Sequence, residues 1–90
     1  MHLVYVGNSD YCKACVLAKP IIAAEAKDLD LTVTWLDTDE DYRDVAVLSI
    51  EALPTTIVMK GVLEVGRIVG ALPGPSMRSK IKKIMVDAES

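Results

Sequence analysis

The chain opens on a short apolar run, Leu3 to Val6, and turns polar at Gly7-Asn8-Ser9-Asp10. A β-rich run ended by turn formers predicts a first strand, then a loop with helix-capping chemistry. From about Cys12 to about Lys27, Val16, Leu17, Ile21, Ile22 and Ala26 recur at spacings that suit a helix with one broad buried face. Pro20 falls inside that helix, where its ring displaces the bond to the Val16 carbonyl and predicts a kink. Leu31 to Leu36 is again β-branched and apolar, a second strand. The acidic stretch Asp37-Thr38-Asp39-Glu40-Asp41 opens a short helix over about Tyr42 to Leu48, with Thr38 and Asp41 at capping-box spacing. Ala52-Leu53-Pro54 breaks the chain before a third strand, Thr55 to Lys60. Gly61 and Val62 fit a two-residue type II′ turn into a fourth strand, Leu63 to Val69, in which Gly66 marks a bulge or a close backbone approach. A last helix starts at Pro75 or Ser76 and carries Met77, Ile81, Ile84 and Met85 on one face.

The element order is βαβ-α-ββα. Its first half needs a parallel strand pair joined by a right-handed crossover, and its second half adds an antiparallel pair. The expected architecture is α/β, a four-stranded mixed sheet with helices on both faces. Ninety residues make a single domain, 1–90. With three Tyr, one Trp and no Phe, its core must be built from aliphatic side chains and Met.

A net charge of −3 gives no basic stripe for nucleic acid. Arg78, Lys80, Lys82 and Lys83 lie at helical spacing and read as a solvated face. No apolar run reaches the ~20 residues of a membrane span, and the N-terminus has no basic region of a signal peptide. The expectation is a cytoplasmic monomer with neither membrane nor nucleic-acid partners.

The chemistry lies in Cys12-Lys13-Ala14-Cys15, directly after a strand and a short loop and at a helix start. The thiolate is the nucleophile of disulfide exchange, and a helix N-terminus favours it through unpaired N–H groups and the positive end of the dipole. That makes Cys12 the more exposed, attacking residue, with Lys13 as a tuning cation and Cys15 as the resolving thiol one turn on. A zinc site needs about four ligands, and His2 is the one histidine, so no metal is expected. The run from Asp37 imitates the start of a calcium loop, but Tyr42 stands where glycine is due and Leu48 where glutamate is due.

These residues resemble thioredoxin over about 80 positions, from Leu3 to the last helix. Cys12-Lys13-Ala14-Cys15 matches the family's CxxC, Pro20 its helix proline, Leu53-Pro54-Thr55 its Ile-Pro-Thr and Val69-Gly70-Ala71 its Val-Gly-Ala. The resemblance implies the thioredoxin fold in a shorter, glutaredoxin-sized form without the N-terminal strand and helix of full thioredoxins. It implies a cis bond before Pro54 and a substrate surface from Tyr11, Leu53, Pro54 and Gly70. It also implies a protein-disulfide reductase with disulfide-containing protein substrates, a thioredoxin-reductase-like or other dithiol electron source, and no cofactor beyond the Cys12–Cys15 disulfide. The departures are Tyr11 for Trp, Lys13-Ala14 for Gly-Pro, Val6 where the family carries a buried Asp, and Trp35 where it carries a Lys. Alternatives are a glutaredoxin-type or ribonucleotide-reductase-serving redoxin, and a non-catalytic binding module. Gly70-Ala71-Leu72-Pro73-Gly74 lacks the second glycine and the acid of a glutaredoxin glutathione site.

Overall fold

A computed structural model of the chain describes residues 1–89. The elements are β1 (His2–Gly7), α1 (Lys13–Asp28), β2 (Val33–Asp37), α2 (Tyr42–Ala46), β3 (Thr55–Lys60), β4 (Leu63–Val69) and α3 (Gly74–Glu89). They form one four-stranded sheet in the order β2-β1-β3-β4. β1 pairs in parallel with β2 and antiparallel with β3, and β3 pairs antiparallel with β4. The mixed sheet expected from the element order is therefore present, with α1 as the crossover between the parallel strands. α1 runs unbroken through Pro20. No helix among the described residues is long and apolar enough to cross a membrane.

Strand alternation gives the sheet two faces. Leu3, Tyr5, Val58 and Ile68 lie on one, in a single cluster with Ala18, Ile22 and Ala26 of α1 and with Met77 and Ile81 of α3. The two long helices thus share a face. Arg78 of α3 ties them by ion pairs to Glu25, at 2.6 Å, and to Asp28 of α1. The opposite face buries Val6, Thr55 and Ile57. Its cover is held by Arg67, which stands opposite Ile57 in the β3–β4 register. The guanidinium donates to the carbonyls of Leu48 at 2.9 Å and Ser49 at 3.2 Å, and Glu64 fixes it from the side at 2.6 Å. The chain that follows α2 is bolted across this face by one arginine. That hydrogen-bonded ion pair holds the Glu64 carboxyl below its usual range.

The acidic run departs from expectation. Asp41 is the N-cap of α2 but makes no side-chain cap bond, and α2 ends at Ala46 with no buried side chain. The Asp41 carboxylate instead accepts from the Asp37 N–H at 2.8 Å, while Asp37 accepts from the N–H groups of Asp39 and Glu40. Short carboxylates compete for local backbone donors, and here they close a turn rather than a capping box.

The β3–β4 hairpin follows the sequence closely. Lys60 pairs with Leu63 across Gly61 and Val62, and Gly61 takes a φ of +61°. Both readings of Gly66 hold. The register skips Val65 between Val58 and Met59, which is a bulge. A Cβ on Gly66 would also lie 2.7 Å from the Ile84 side chain of α3.

Candidate active site

β1 ends at Gly7, and a short loop carries the chain to Cys12, the N-cap of α1. Its backbone is extended, and its sulfur accepts the Cys15 N–H at 3.1 Å. The Cys12 carbonyl accepts from Cys15 and Val16. The capping chemistry expected of Asn8-Ser9-Asp10 is thus supplied by a cysteine sulfur. A disulfide joins Cys12 to Cys15 with their Cα atoms 5.2 Å apart. Cys12 is half-buried, while Cys15 is 2% exposed. No acidic residue lies in the first turn of α1, and exposed Lys13 is its first residue.

β1 supplies the floor under Cys15. A Cβ built on Gly7 would lie 3.2 Å from the Cys15 sulfur, so the missing side chain gives that sulfur its room. Two residues back, the Tyr5 hydroxyl donates to the Cys15 carbonyl at 2.7 Å. Burial pushes the Tyr5 phenol above its ordinary pKa. The Trp35 ring meets Tyr5 edge-on at 5.3 Å, and the Lys19 ammonium lies 5.4 Å from the Trp35 ring centre. Val6, where the family resemblance placed a lost acid, is buried on the other sheet face, because alternation sends it away from Tyr5 and Gly7. What stands beneath Cys15 is neutral and aromatic.

Two more loops gather at this end of the sheet. Buried Asn8 donates to the Thr38 hydroxyl and to the Asp39 carboxylate, each at 2.9 Å, and accepts from the Asp10 N–H. Exposed Tyr11 leans onto the same loop, its hydroxyl 3.0 Å from that of Thr38. Across the sheet, Val6 pairs with Thr55 and Thr55 with Val69. That register brings Pro54 and Gly70 to the end where β1 delivers Cys12. The Leu53–Pro54 bond is cis, and the Pro54 carbonyl accepts the Gly70 N–H at 2.8 Å. Leu53 is half-buried beside it. The sequence singled out Cys12, Cys15, Tyr11, Lys13, Leu53, Pro54 and Gly70; the fold sets Lys13 and Cys15 in the first turn of α1, Cys12 at its N-cap, and the others in the loops at this end of the sheet.

Tyr5, Gly7, Asn8 and Lys19 were not singled out. Tyr5 reads only as a strand residue and Gly7 only as the start of the loop, whereas β1 extends through Gly7 and their role depends on the face they share. Lys19 carried a signal, since it follows Cys15 by one helical turn and so shares its side of α1.

Comparisons with known proteins agree on the relationship. No protein-family model matches the sequence. It is 26% identical over 77 residues to a thioredoxin of Synechocystis, covering 83% of this chain and 72% of that one. The fold matches thioredoxin 1 of Thermosipho africanus with a TM-score of 0.83 at 22% identity, over the whole of both chains. It matches Fasciola hepatica thioredoxin with a TM-score of 0.76 at 27% identity, covering 91% of this chain and 80% of that one. A cysteine pair closed across the first turn of the crossover helix joins that chemistry to that fold, and the chain has the thioredoxin fold and is a thioredoxin-like disulfide oxidoreductase.

Proposed function

We propose that the chain reduces protein disulfides in two steps, with Cys12 attacking and Cys15 resolving. The observation that carries this is the asymmetry of the pair. Cys12 is the half-buried N-cap and its sulfur already receives an N–H, while Cys15 is buried behind it. In the dithiol form the same N–H and the helix dipole favour a Cys12 thiolate, and Lys13 adds a nearby cation.

The Cys12 thiolate attacks one sulfur of a substrate disulfide. The substrate S–S bond breaks, its electron pair leaves on the second sulfur, and that sulfur takes a proton from solvent. Cys15 then loses its proton and attacks the Cys12 sulfur. The bond from Cys12 to the substrate breaks, and the second substrate thiol departs. Two electrons have passed from the dithiol to the substrate, and the Cys12–Cys15 disulfide remains. A reductase or another dithiol source in a reducing compartment restores it. Tyr11, Leu53, Pro54 and Gly70 form the surface that receives an extended substrate segment.

Insulin reduction by dithiothreitol tests the reading. The protein is expected to accelerate insulin precipitation, and Cys12→Ser to remove the acceleration. A wild-type protein that leaves the uncatalysed rate unchanged would identify a binding module on this fold.

A further inference from the structure

A cavity of about 340 Å³ opens beside Cys15, between α1, β2 and the acidic turn after β2. Its charge is one-sided. Asp10, Asp37, Asp39, Glu40 and Asp41 line it, and Lys19 is the one cation among its lining residues. Tyr5 and Trp35 form its floor. Lys19 stands one helical turn from Cys15, and the Trp35 ring holds its ammonium on this side of the helix at 5.4 Å.

Resting on the two-step reading above, we propose that Lys19 is a positioning residue for resolution: its cation faces the Cys15 thiolate as it forms in the mixed disulfide. Without Lys19, the charged side chains lining that cavity are all acidic. Three of these acids are already turned to other donors, Asp37 and Asp41 to backbone N–H groups and Asp39 to Asn8. The Tyr5 hydroxyl, a neutral polar group of the same cavity, is committed to the Cys15 carbonyl. The proton leaving the Cys15 thiol passes to solvent through the cavity. The electron pair it leaves on sulfur forms the bond to Cys12, as the bond from Cys12 to the substrate breaks.

The test uses reduced, full-length protein mixed with one equivalent of the aromatic disulfide 5,5′-dithiobis(2-nitrobenzoate), followed by stopped-flow absorbance. Attack by Cys12 releases a first thionitrobenzoate, and resolution by Cys15 releases the second. The second phase is measured against pH for wild type, Lys19→Gln and Lys19→Arg. Loss of a facing cation raises a thiolate midpoint by about one pH unit. With a Brønsted coefficient near 0.45, the more basic thiolate is about threefold more nucleophilic once formed. Lys19→Gln is therefore expected to move the second-phase midpoint up by about one unit and raise its high-pH plateau about threefold. Below both midpoints the rate falls about threefold to fourfold. Lys19→Arg restores the wild-type midpoint. An unchanged midpoint in Lys19→Gln, or uniform slowing at every pH, would overturn the proposal. Absence of a first phase in wild type would overturn the two-step reading itself.

Discussion

The Tyr5 hydroxyl reaches ten residues along the chain to donate to the Cys15 carbonyl. This bond fastens the first turn of α1 to the central strand from below. Tyr5→Phe keeps the ring and its packing on Trp35 but removes the donor. It is expected to lower stability by about 1 kcal/mol, the usual net worth of a buried hydrogen bond, in a urea titration.

The same residue sets a pH dependence. Burial raises the Tyr5 phenol above its unfolded value of 10.0. The folded state then holds its proton more tightly than the unfolded state. Its contribution is fully present below that unfolded value and is lost as pH rises through the folded one. Wild type is expected to lose stability more steeply than Tyr5→Phe on the alkaline side. Parallel stability profiles for the two proteins above pH ~10 would contradict this.

Much of this arrangement was legible in the sequence, and the exceptions are of two kinds. β3, its two-residue turn and β4 follow from local signals: β-branched runs, a glycine at the turn and a glycine at the bulge. Cys12 and Cys15 were legible because strand, loop and helix fix their setting locally. Long-range side-chain geometry was not. Arg67 reaching Leu48 and Ser49, or Tyr5 reaching Cys15, leaves no trace in spacing or composition. Thr38 and Asp41 had the spacing of a capping box, but the nearby backbone donors offered the aspartates a tighter turn.

Cysteine roles are separable by trapping. Cys15→Ser is expected to accumulate mixed disulfides through Cys12, visible on a non-reducing gel and mapped by mass spectrometry. Adducts on Cys15 in a Cys12→Ser protein, with none on Cys12 in Cys15→Ser, would reverse the order of attack.

Gly7 offers a steric test of the same pocket. A methyl there would sit 3.2 Å from the Cys15 sulfur and 2.9 Å from the Tyr5 ring. Gly7→Ala forces one of these buried groups to move, at a cost of about 1–3 kcal/mol typical of overpacking. Denaturant titration should register that loss. Stability equal to wild type would mean that the strand end yields more easily than its packing implies.

Lys13 bears on redox poise. The dipeptide between the cysteines carries a cation, and the group beneath Cys15 is a neutral phenol rather than a carboxylate. Both favour the reduced, ionised pair, which predicts a potential tens of millivolts above the about −270 mV of thioredoxin. Lys13→Gln should lower it by about 15 mV, the equivalent of half a pKa unit, and added salt should shrink the difference. Equilibration against glutathione measures both values. A wild-type potential at or below about −270 mV would show that these charges do not govern the poise.

Trp35 is the sole tryptophan of the chain, and it lies edge-on to Tyr5, whose hydroxyl is bonded to Cys15. All indole emission therefore comes from one point at the floor of the cysteine pair. Tyr5, 5.3 Å away, is placed to hand its excitation to that indole. The protein carries its own optical gauge, and the indole emission is expected to follow the opening and closing of the disulfide in real time without a label.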